Sequence, residues 1–280
     1  MTLYLGSKKV APTKIITKEV SSMKPFFNAG GKCSNSTATS FEGIIQYSDT
    51  SNVTDMSNMF DSCSKLTTIP QIDTSNVTDM SYMFGICSNL TSIPLLNTSK
   101  VKSMYNAFYN CYSLTTIPQL DTSNVTNMNS MFSNCSSLTT IPLLDTSNVT
   151  NMYSMFQSCS KLTTIPQLDT SNVTNMNRMF YNCASLTSVP QLDTSNVTDM
   201  NRMFSNCSSL ETIHMINMKV SFDIHYSNKF TREALLEIIN NCYDLTTLGK
   251  TATLTMGSTN LAKLTDEDKL IATNKGWTLA

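Results

Sequence analysis

The sequence is poor in charged residues. Asp, Glu, Lys and Arg make up 14% of its 280 residues, well below the roughly 25% that is usual for globular chains. The net charge is -1, and Lys and Arg form no dense patch, so the electrostatic footprint of a nucleic-acid-binding protein is missing. Hydrophobic residues make up 40%, which is enough for a packed interior. We therefore expect a folded chain with a surface of hydroxyls and amides, and no nucleic-acid partner.

Long apolar runs are also missing. No window approaches the ~18 apolar residues of a membrane-spanning helix, so we expect no membrane span. The first ten residues do not resemble a signal peptide or its cleavage site. Three explanations stay open: the protein stays inside a cell, leaves by an unusual route or on a particle, or its sequence begins after an export signal.

Residues typical of catalysis are scarce. The two histidines, His214 and His225, stand in the irregular C-terminal part of the chain, and no nucleophile lies in a recognisable motif. A glycosidase needs two carboxylates across a cleft, and the repeated acidic residues do not single out such a pair. We predict that the protein is not an enzyme and needs no cofactor, and that both histidines are surface or capping residues.

A 24-residue unit recurs seven times without insertion or deletion. It reads approximately D-T-S-N-V-T-x-M-x-x-M-F-x-x-C-x-x-L-T-x-I-P-x-L. The copies begin at Asp49, Asp73, Asn97, Asp121, Asp145, Asp169 and Asp193. A constant period of this length is typical of a solenoid, in which stacked units supply the core. The sequence thus predicts an α/β solenoid at residues 41–216, an N-terminal leader and cap at 1–40 and a C-terminal leucine-rich-repeat-like cap at 217–280.

The pattern within one copy predicts two short elements. In the copy that begins at Asp121, apolar residues from Val125 to Cys135 have the spacing of one helical face, which predicts a short helical turn. We expect a short strand at Leu138–Ile141, parallel to its equivalents in neighbouring coils. Pro142 should end that strand, because proline cannot donate to a sheet ladder. The Asp-Thr-Ser-Asn tetrapeptide should then form a turn.

Three columns of equivalent residues could be mistaken for functional sites. Seven cysteines recur in step with the repeat, and we predict buried free thiols that act as packing groups. The methionine columns are predicted to be core. The aspartate column could bind calcium, but each carboxylate can instead accept backbone N–H bonds in its own turn. We expect no metal site.

The repeat resembles the BspA-type, leucine-rich-repeat-like repeats of bacterial surface proteins. The matching segments are Asn148-Val-Thr150, Met155-Phe156 with Cys159, and Leu162 to Pro166. The resemblance implies a right-handed solenoid and an adhesin or surface-exposed binding protein. It favours a location on a cell surface or a phage particle.

The ends of the chain carry their own signals. Residues 3–12 predict a short hairpin. Residues 230–239 predict a helix with Thr231 as N-cap, and residues 251–256 predict a strand. A second helix should open at residues 265–268 with a sequence close to a capping box.

Positions that differ between the copies cluster around the predicted helical turn. Because Tyr and Arg are favoured at binding hot spots, we select as candidate binding residues Tyr82, Tyr105, Tyr109, Tyr153, Tyr181, Arg178 and Arg202. Drift at unconstrained positions is the competing explanation, and the Thr-rich strand face is an alternative surface. The sequence favours a non-enzymatic binding or adhesion module that recognises a protein or glycan. The alternative is a structural protein of a phage particle or cell-surface complex that acts as a rigid spacer.

Overall fold

The computed structural model describes residues 49–280 together with two short strands near the start of the chain. These strands are β1, Leu3–Leu5, and β2, Lys8–Val10, which pair antiparallel. The predicted opening hairpin is confirmed over these strands. The predicted start of the solenoid at residue 41 lies outside the described residues, and the predicted domain boundaries stay predictions.

From residue 49 onward, the chain winds in coils that pair with one another. Parallel bridges join equivalent residues 24 positions apart, beginning with Asp55 to Asp79 and Asp79 to Ser103. The same series continues through Asn127, Asn151, Asn175 and Asp199. Each inner coil is therefore bonded to the coil before it and the coil after it, which is the architecture of a solenoid.

The segment predicted to be a short helical turn is instead a run of tight turns. Ser130 and Asn134 lie in the left-handed region, with φ of 53° and 63°. The N–H of Ser130 donates to the carbonyl of Tyr153 in the next coil (2.8 Å), whereas the N–H of Ser133 donates back to the carbonyl of Ser130 (3.1 Å). Donors alternate in this way, so the continuous hydrogen-bond ladder of an α-helix cannot form. The helical prediction is wrong because apolar spacing marks a buried face and does not register left-handed residues.

The predicted strand becomes regular in the last two coils. There β3, Ser188–Asp193, pairs in parallel with β4, Thr212–Ile216. Pro190 lies inside β3 and not at its end, and the register shifts around it, so the prediction that proline ends the strand is wrong there. The shift accommodates the missing N–H of proline. In β4, His214 stands at the proline position and supplies an N–H, which favours a regular ladder.

The repeated apolar residues form one continuous core, as predicted. The Val, Met, Phe, Cys and Leu columns are nearly inaccessible to solvent. Equivalent phenylalanines stack face to face along the solenoid, with ring centroids 5.4 to 5.8 Å apart. The identity of these residues between copies follows from packing, because each side chain must match the same residue above and below it.

The C-terminal cap adds a small parallel sheet. It consists of β5, Phe222–Asp223, β6, Ala252–Thr255, and β7, Trp277–Leu279, in that order. The strand predicted at residues 251–256 is confirmed as β6. Trp277 packs edge-on against Phe222 across this sheet, with ring centroids 6.0 Å apart.

Helical elements cover the cap. In chain order they are α1, Arg232–Asn241, a 3₁₀ turn, Leu245–Leu248, α2, Ser258–Leu261, and α3, Asp266–Asn274. Thr231 caps α1 by accepting the N–H of Ala234, which confirms the predicted N-cap. Thr265 and Asp268 form a complete capping box at the start of α3, as predicted. Within the part of the chain that the structure describes, no helix has both the length and the apolar character to cross a membrane.

Candidate recognition groove on the solenoid flank

Seven equivalent tetrapeptides, six with the sequence Asp-Thr-Ser-Asn and one with Asn-Thr-Ser-Lys at residues 97–100, form one edge of the solenoid, called the clamp edge below. In the copy at residues 145–148, Asp145 accepts the N–H (3.0 Å) and the hydroxyl (2.7 Å) of Ser147. The hydroxyl of Thr146 donates to the carbonyl of Asp169 in the next coil at 2.8 Å. The side-chain amide of Asn148 donates to the carbonyl of Ser123 in the preceding coil at 2.7 Å. Every residue type of the tetrapeptide therefore has a structural role.

The aspartates of the clamp edge are accounted for by their own turns. The hydroxyl of Ser123, and next its N–H, lower the pKa of Asp121 below the usual value by stabilising the carboxylate. Ser147 does the same for Asp145. Asn97 replaces aspartate in one coil and accepts the same two bonds from Ser99. Across the described residues, His, Cys, Asp and Glu side chains nowhere form a group of three that could hold a metal ion.

A depression of about 480 Å³ lies over the clamp edge, but its chemistry points to structure. It is lined by backbone-bonded residues such as Asp121 and Asp145, together with Leu143, whose surface is 62% exposed. Because its polar side chains already hold the turns, we do not assign the recognition site to it. It is larger than the groove described below, so volume alone does not identify a site.

The cysteine column is buried and its thiols are unoxidised, as predicted. Each thiol of the inner coils also donates to the phenylalanine carbonyl of the preceding coil, as Cys135 does to Phe108 at 3.1 Å. Burial raises the pKa of Cys159 to about 12, and that of Cys135 is well above its ordinary value for the same reason. Because the thiolate is the reactive form, these side chains are packing groups.

Both histidines contact a carboxylate near the cap. His214 Nδ1 lies 2.6 Å from Glu237 Oε1 of α1. His225 Nδ1 lies 2.5 Å from Asp223 Oδ1 of β5. Both rings are partly exposed, which agrees with the prediction of surface or capping residues.

Four of the predicted binding residues meet in one groove on the flank of the solenoid. Tyr82, Tyr109, Tyr153 and Arg178 line this space of about 300 Å³, called the flank groove below. Its other lining residues are Asn106, Ser130, Ser133, Ser154 and Gln157. These five were not selected from the sequence because we favoured Tyr and Arg, although they occupy the same variable columns.

The residues of the flank groove hold one another in place. Tyr105 lies beside Tyr82, with the two rings edge to face and their centroids 5.2 Å apart. A hydrogen bond to Tyr105, together with burial, raises the pKa of Tyr82 to about 12. Arg178 Nη1 lies 3.3 Å from the hydroxyl oxygen of Tyr153. Tyr105 therefore supports the groove from beside it.

The two remaining candidates lie outside the flank groove. Arg202 lines a separate depression of about 290 Å³ between the last coil and the cap, together with Asp223 and Tyr226. Tyr181 lines neither of these spaces, although it occupies the same column as Tyr109. The structure thus brings together four of the seven candidates, adds Tyr105 as a neighbour and separates two.

One of the variable columns, the one that contains Tyr82 and Arg178, has an unusual backbone conformation. Its seven residues all have positive φ, between 51° and 58°, and they are Asn58, Tyr82, Asn106, Ser130, Ser154, Arg178 and Arg202. Left-handed backbone costs about 1–2 kcal/mol for most side chains and is tolerated best by Gly, Asn and Asp. Tyrosine and arginine are therefore unfavourable choices for this backbone, although Ile86, which lies outside the flank groove, also has a positive φ of 57°.

The sequence pattern of one protein family matches most of the solenoid. The family is described as Mycoplasma protein of unknown function, DUF285, and it matches residues 23–140 and again residues 105–218. No curated protein is similar enough in sequence to count as a relative.

Three solved structures illustrate what the chain is similar to. One is a leucine-rich repeat protein from T. pallidum, with a TM-score of 0.41 and 18% identity, covering 76% of this chain and 84% of that one. Another is internalin C2 from Listeria monocytogenes, with a TM-score of 0.34 and 17% identity, covering 64% and 76%. A third is an internalin, inlF, from the same species, with a TM-score of 0.32 and 14% identity, covering 80% and 69%. Because these values are low, the solenoid fold of this chain rests on its own inter-coil bonds.

Proposed function

The chain belongs to the DUF285 family of Mycoplasma proteins of unknown function, and we propose that it is a non-enzymatic recognition module. Its flank groove, centred on Tyr82, Tyr109, Tyr153 and Arg178, would bind a protein or glycan ligand. The finer resemblance to BspA-type surface proteins, with a right-handed solenoid, would place that ligand at a cell surface or on a particle.

The observation that carries this proposal is the choice of residues at left-handed positions. Tyr82 and Arg178 both have φ of 55°, although smaller residues would fit this backbone better. Residues in sparsely populated backbone regions cluster at ligand-binding and active sites. Both side chains line the same groove, which supports a role in binding.

The rigidity of the groove also supports recognition. The N–H of Tyr82 donates to the carbonyl of Tyr105 in the next coil at 2.8 Å, and that of Arg178 donates to Asn201 at 3.0 Å. The backbone of each groove residue is thus fixed by the neighbouring coil. Such preorganisation reduces the entropy that is lost on binding.

Substitutions in one coil test the proposal with a matched control. Tyr109→Ala removes a groove side chain, whereas Tyr112→Ala removes an exposed tyrosine of the same coil that lies outside the groove. We expect Tyr109→Ala to weaken retention of ligands selected from glycan arrays and displayed peptide libraries by about tenfold, or ~1.4 kcal/mol. Equal retention by wild type and Tyr109→Ala would remove the support for this groove.

Tyr181→Ala measures how far the binding surface extends. We predicted from the sequence that this residue contributes to binding. Because it shares a column with Tyr109 but does not line the groove, we now expect a smaller loss of affinity than for Tyr109→Ala.

The second candidate function is that of a rigid spacer, and the unbroken series of inter-coil bridges favours it. Removal of residues 121–144 deletes one whole coil and would shorten the body by about 4.8 Å while keeping the repeat in register. If the protein is a rigid spacer, its function should change when this coil is deleted and should stay the same in Tyr109→Ala. A recognition module should lose its ligand in both variants, since the deletion also removes Ser130 and Ser133 from the groove.

A further inference from the structure

The floor of the flank groove is polar. Asn106, Ser130, Ser133 and Ser154 line it, and their surfaces are only 1 to 8% exposed. All nine lining residues carry a hydroxyl, amide or guanidinium group. The core of a protein–protein interface is usually more apolar than this, with anchors that enter water-free pockets. The hydroxyls of Ser130 and Ser154 already donate to Asn129 and Gln157, at 2.8 and 3.0 Å, but each can still accept a hydrogen bond. Such a polar floor suits a ligand that carries many hydroxyls of its own.

The walls supply the second feature that a sugar requires. Tyr82, Tyr109 and Tyr153 are partly exposed, so ring surface and hydroxyl are both available to a ligand. An aromatic ring can pack against the C–H face of a pyranose, while amide groups both donate to and accept from its hydroxyls. Asn106 and Gln157 provide such amides, although the oxygen of Gln157 already accepts the hydroxyl of Ser154 at 3.0 Å. Arg178 offers a planar fork that can pair with two oxygens at once.

The groove repeats along the solenoid axis in steps that match a chain of sugars. Its lining runs from Tyr82 to Arg178, across five successive coils. Coils stacked at the inter-strand distance of about 4.8 Å give a length of roughly 19 Å. One coil step is comparable with the length of one pyranose in an extended chain. A linear oligosaccharide could thus present one ring to each coil.

Charge is concentrated at one end of the groove. Arg178 is the charged member of its lining, and it contacts the Tyr153 hydroxyl oxygen at 3.3 Å. The middle of the groove, from Asn106 to Gln157, is neutral. A neutral sugar chain therefore meets matching groups along its length, and a carboxylate on its last ring would meet the guanidinium.

We infer that the flank groove binds a linear oligosaccharide of about four or five rings along the solenoid axis, one ring to each coil step. This inference rests on the proposed function and names the chemical class of its ligand.

The test uses the full chain and defined oligosaccharides. The probes are cellotetraose, the tetrasaccharide of N-acetylglucosamine, mannotetraose and the tetrasaccharide of galacturonic acid, each with its disaccharide. Binding is measured by titration calorimetry and by saturation-transfer NMR at millimolar ligand. We expect at least one tetrasaccharide to bind, and its disaccharide to bind about tenfold more weakly, since it would contact fewer coils.

Matched variants locate the binding. Tyr153→Ala and Arg178→Ala should each lower the affinity for the tetrasaccharide by about tenfold. Arg202→Ala, which changes the same column outside the groove, and Tyr112→Ala should leave affinity unchanged. Thermal unfolding of every variant should be cooperative, which separates loss of binding from loss of fold. Arg178→Ala should affect the acidic probe more than the neutral probes if a carboxylate occupies that end.

Two negative outcomes are distinguishable. If none of the tetrasaccharides binds, but a peptide selected from a displayed library binds and is lost in Tyr109→Ala and Arg178→Ala, the oligosaccharide inference is wrong and the proposed function stands. If no ligand of either class responds to substitutions in the groove, both are wrong.

Discussion

The clamp edge and the flank groove belong to the same coils but use their polar side chains in opposite ways. On the clamp edge, side chains bond to backbone, as Thr146 does to the carbonyl of Asp169 at 2.8 Å. In the flank groove, side chains meet other side chains, as Arg178 does with Tyr153, and surround an open space. The copies are nearly identical at the first and differ at the second. Identity between copies therefore marks what holds the coils together, and difference marks what can be adapted to a ligand.

The same contrast exists between two left-handed columns of the flank. One, which includes Asn110, Asn134, Asn182 and Asn206, is rich in the residue that best tolerates positive φ after glycine. The other, four positions earlier, carries Tyr82, Arg178 and Arg202 among its members. The backbone demand is similar in both columns, and the first also contains Ile86 at φ 57°. We therefore attribute the tyrosine and arginines of the second column to their side chains only together with their place at the flank groove.

The largest contrast should appear between two aromatic residues one coil apart. Phe132→Ala removes a fully buried ring stacked between Phe108 and Phe156, at centroid distances of 5.5 and 5.8 Å. We expect a loss of about 3–5 kcal/mol in the free energy of unfolding. Tyr109→Ala on the flank should change it by less than about 0.5 kcal/mol. Urea unfolding followed by circular dichroism measures both, and similar losses in the two variants would contradict the separation of core from flank.

The clamp edge should be the next most sensitive region. Thr146→Val removes a buried hydroxyl and leaves the carbonyl of Asp169 without that bond. An unsatisfied buried group costs about 1–3 kcal/mol. Thr174→Val is the matched control, because the hydroxyl of Thr174 donates to the Thr150 carbonyl at 3.1 Å in an exposed setting where water can replace it.

The free energies of unfolding of the two Thr→Val variants should therefore differ, with the loss confined largely to Thr146→Val. Equal losses would mean that burial does not make the Thr146 bond more stabilising than the exposed Thr174 bond.

Much of the framework was predictable because it depends on local or strictly periodic signals. The core columns follow from the repeat, and the caps of α1 and α3 follow from Thr231 and the Thr265–Asp268 pair. The short helix was wrongly predicted because left-handed residues such as Ser130 redirect every second N–H to the next coil. That choice depends on neighbouring coils, so no single copy reveals it.

The sequence identified the repeat positions that form the candidate site, but it did not identify which residues at those positions line the groove. Variation between copies identified the flank, and four selected residues line the groove. Tyr181 and Gln157 occupy the same column as Tyr109, and that column did not reveal that Tyr181 lies outside the groove while Gln157 lies inside it. The limits of a groove depend on the size of every neighbouring side chain, which a column of residue types does not contain.

Exchanging residues between the left-handed columns should alter stability in opposite directions. Arg178→Asn places a tolerant residue at φ 55° and should stabilise the fold by up to about 1 kcal/mol while weakening ligand binding. Asn182→Arg places a long side chain at φ 62° and should destabilise it by about the same amount. Thermal unfolding combined with an affinity measurement tests both effects. A stabilised Arg178→Asn variant that kept full affinity would remove strain as an argument for function.

The smallest effect should be a weak pH dependence of the free energy of unfolding, caused by the aspartates of the clamp edge. The pKa of Asp145 is lowered in the folded chain, first by the hydroxyl and then by the N–H of Ser147. The carboxylate therefore contributes stability that is fully present above its unfolded pKa of about 3.9 and is lost as pH falls through its lower folded value. Asp145→Asn should unfold at nearly the same urea concentration as wild type at pH 7, because Asn97 already makes both bonds of this turn in its own coil. Below pH 4 the variant should lose less stability than wild type, by a few tenths of a kcal/mol for one exposed group. If wild type and Asp145→Asn lose stability in parallel on acidification, the bonds from Ser147 to the carboxylate do not stabilise the clamp edge through their charge.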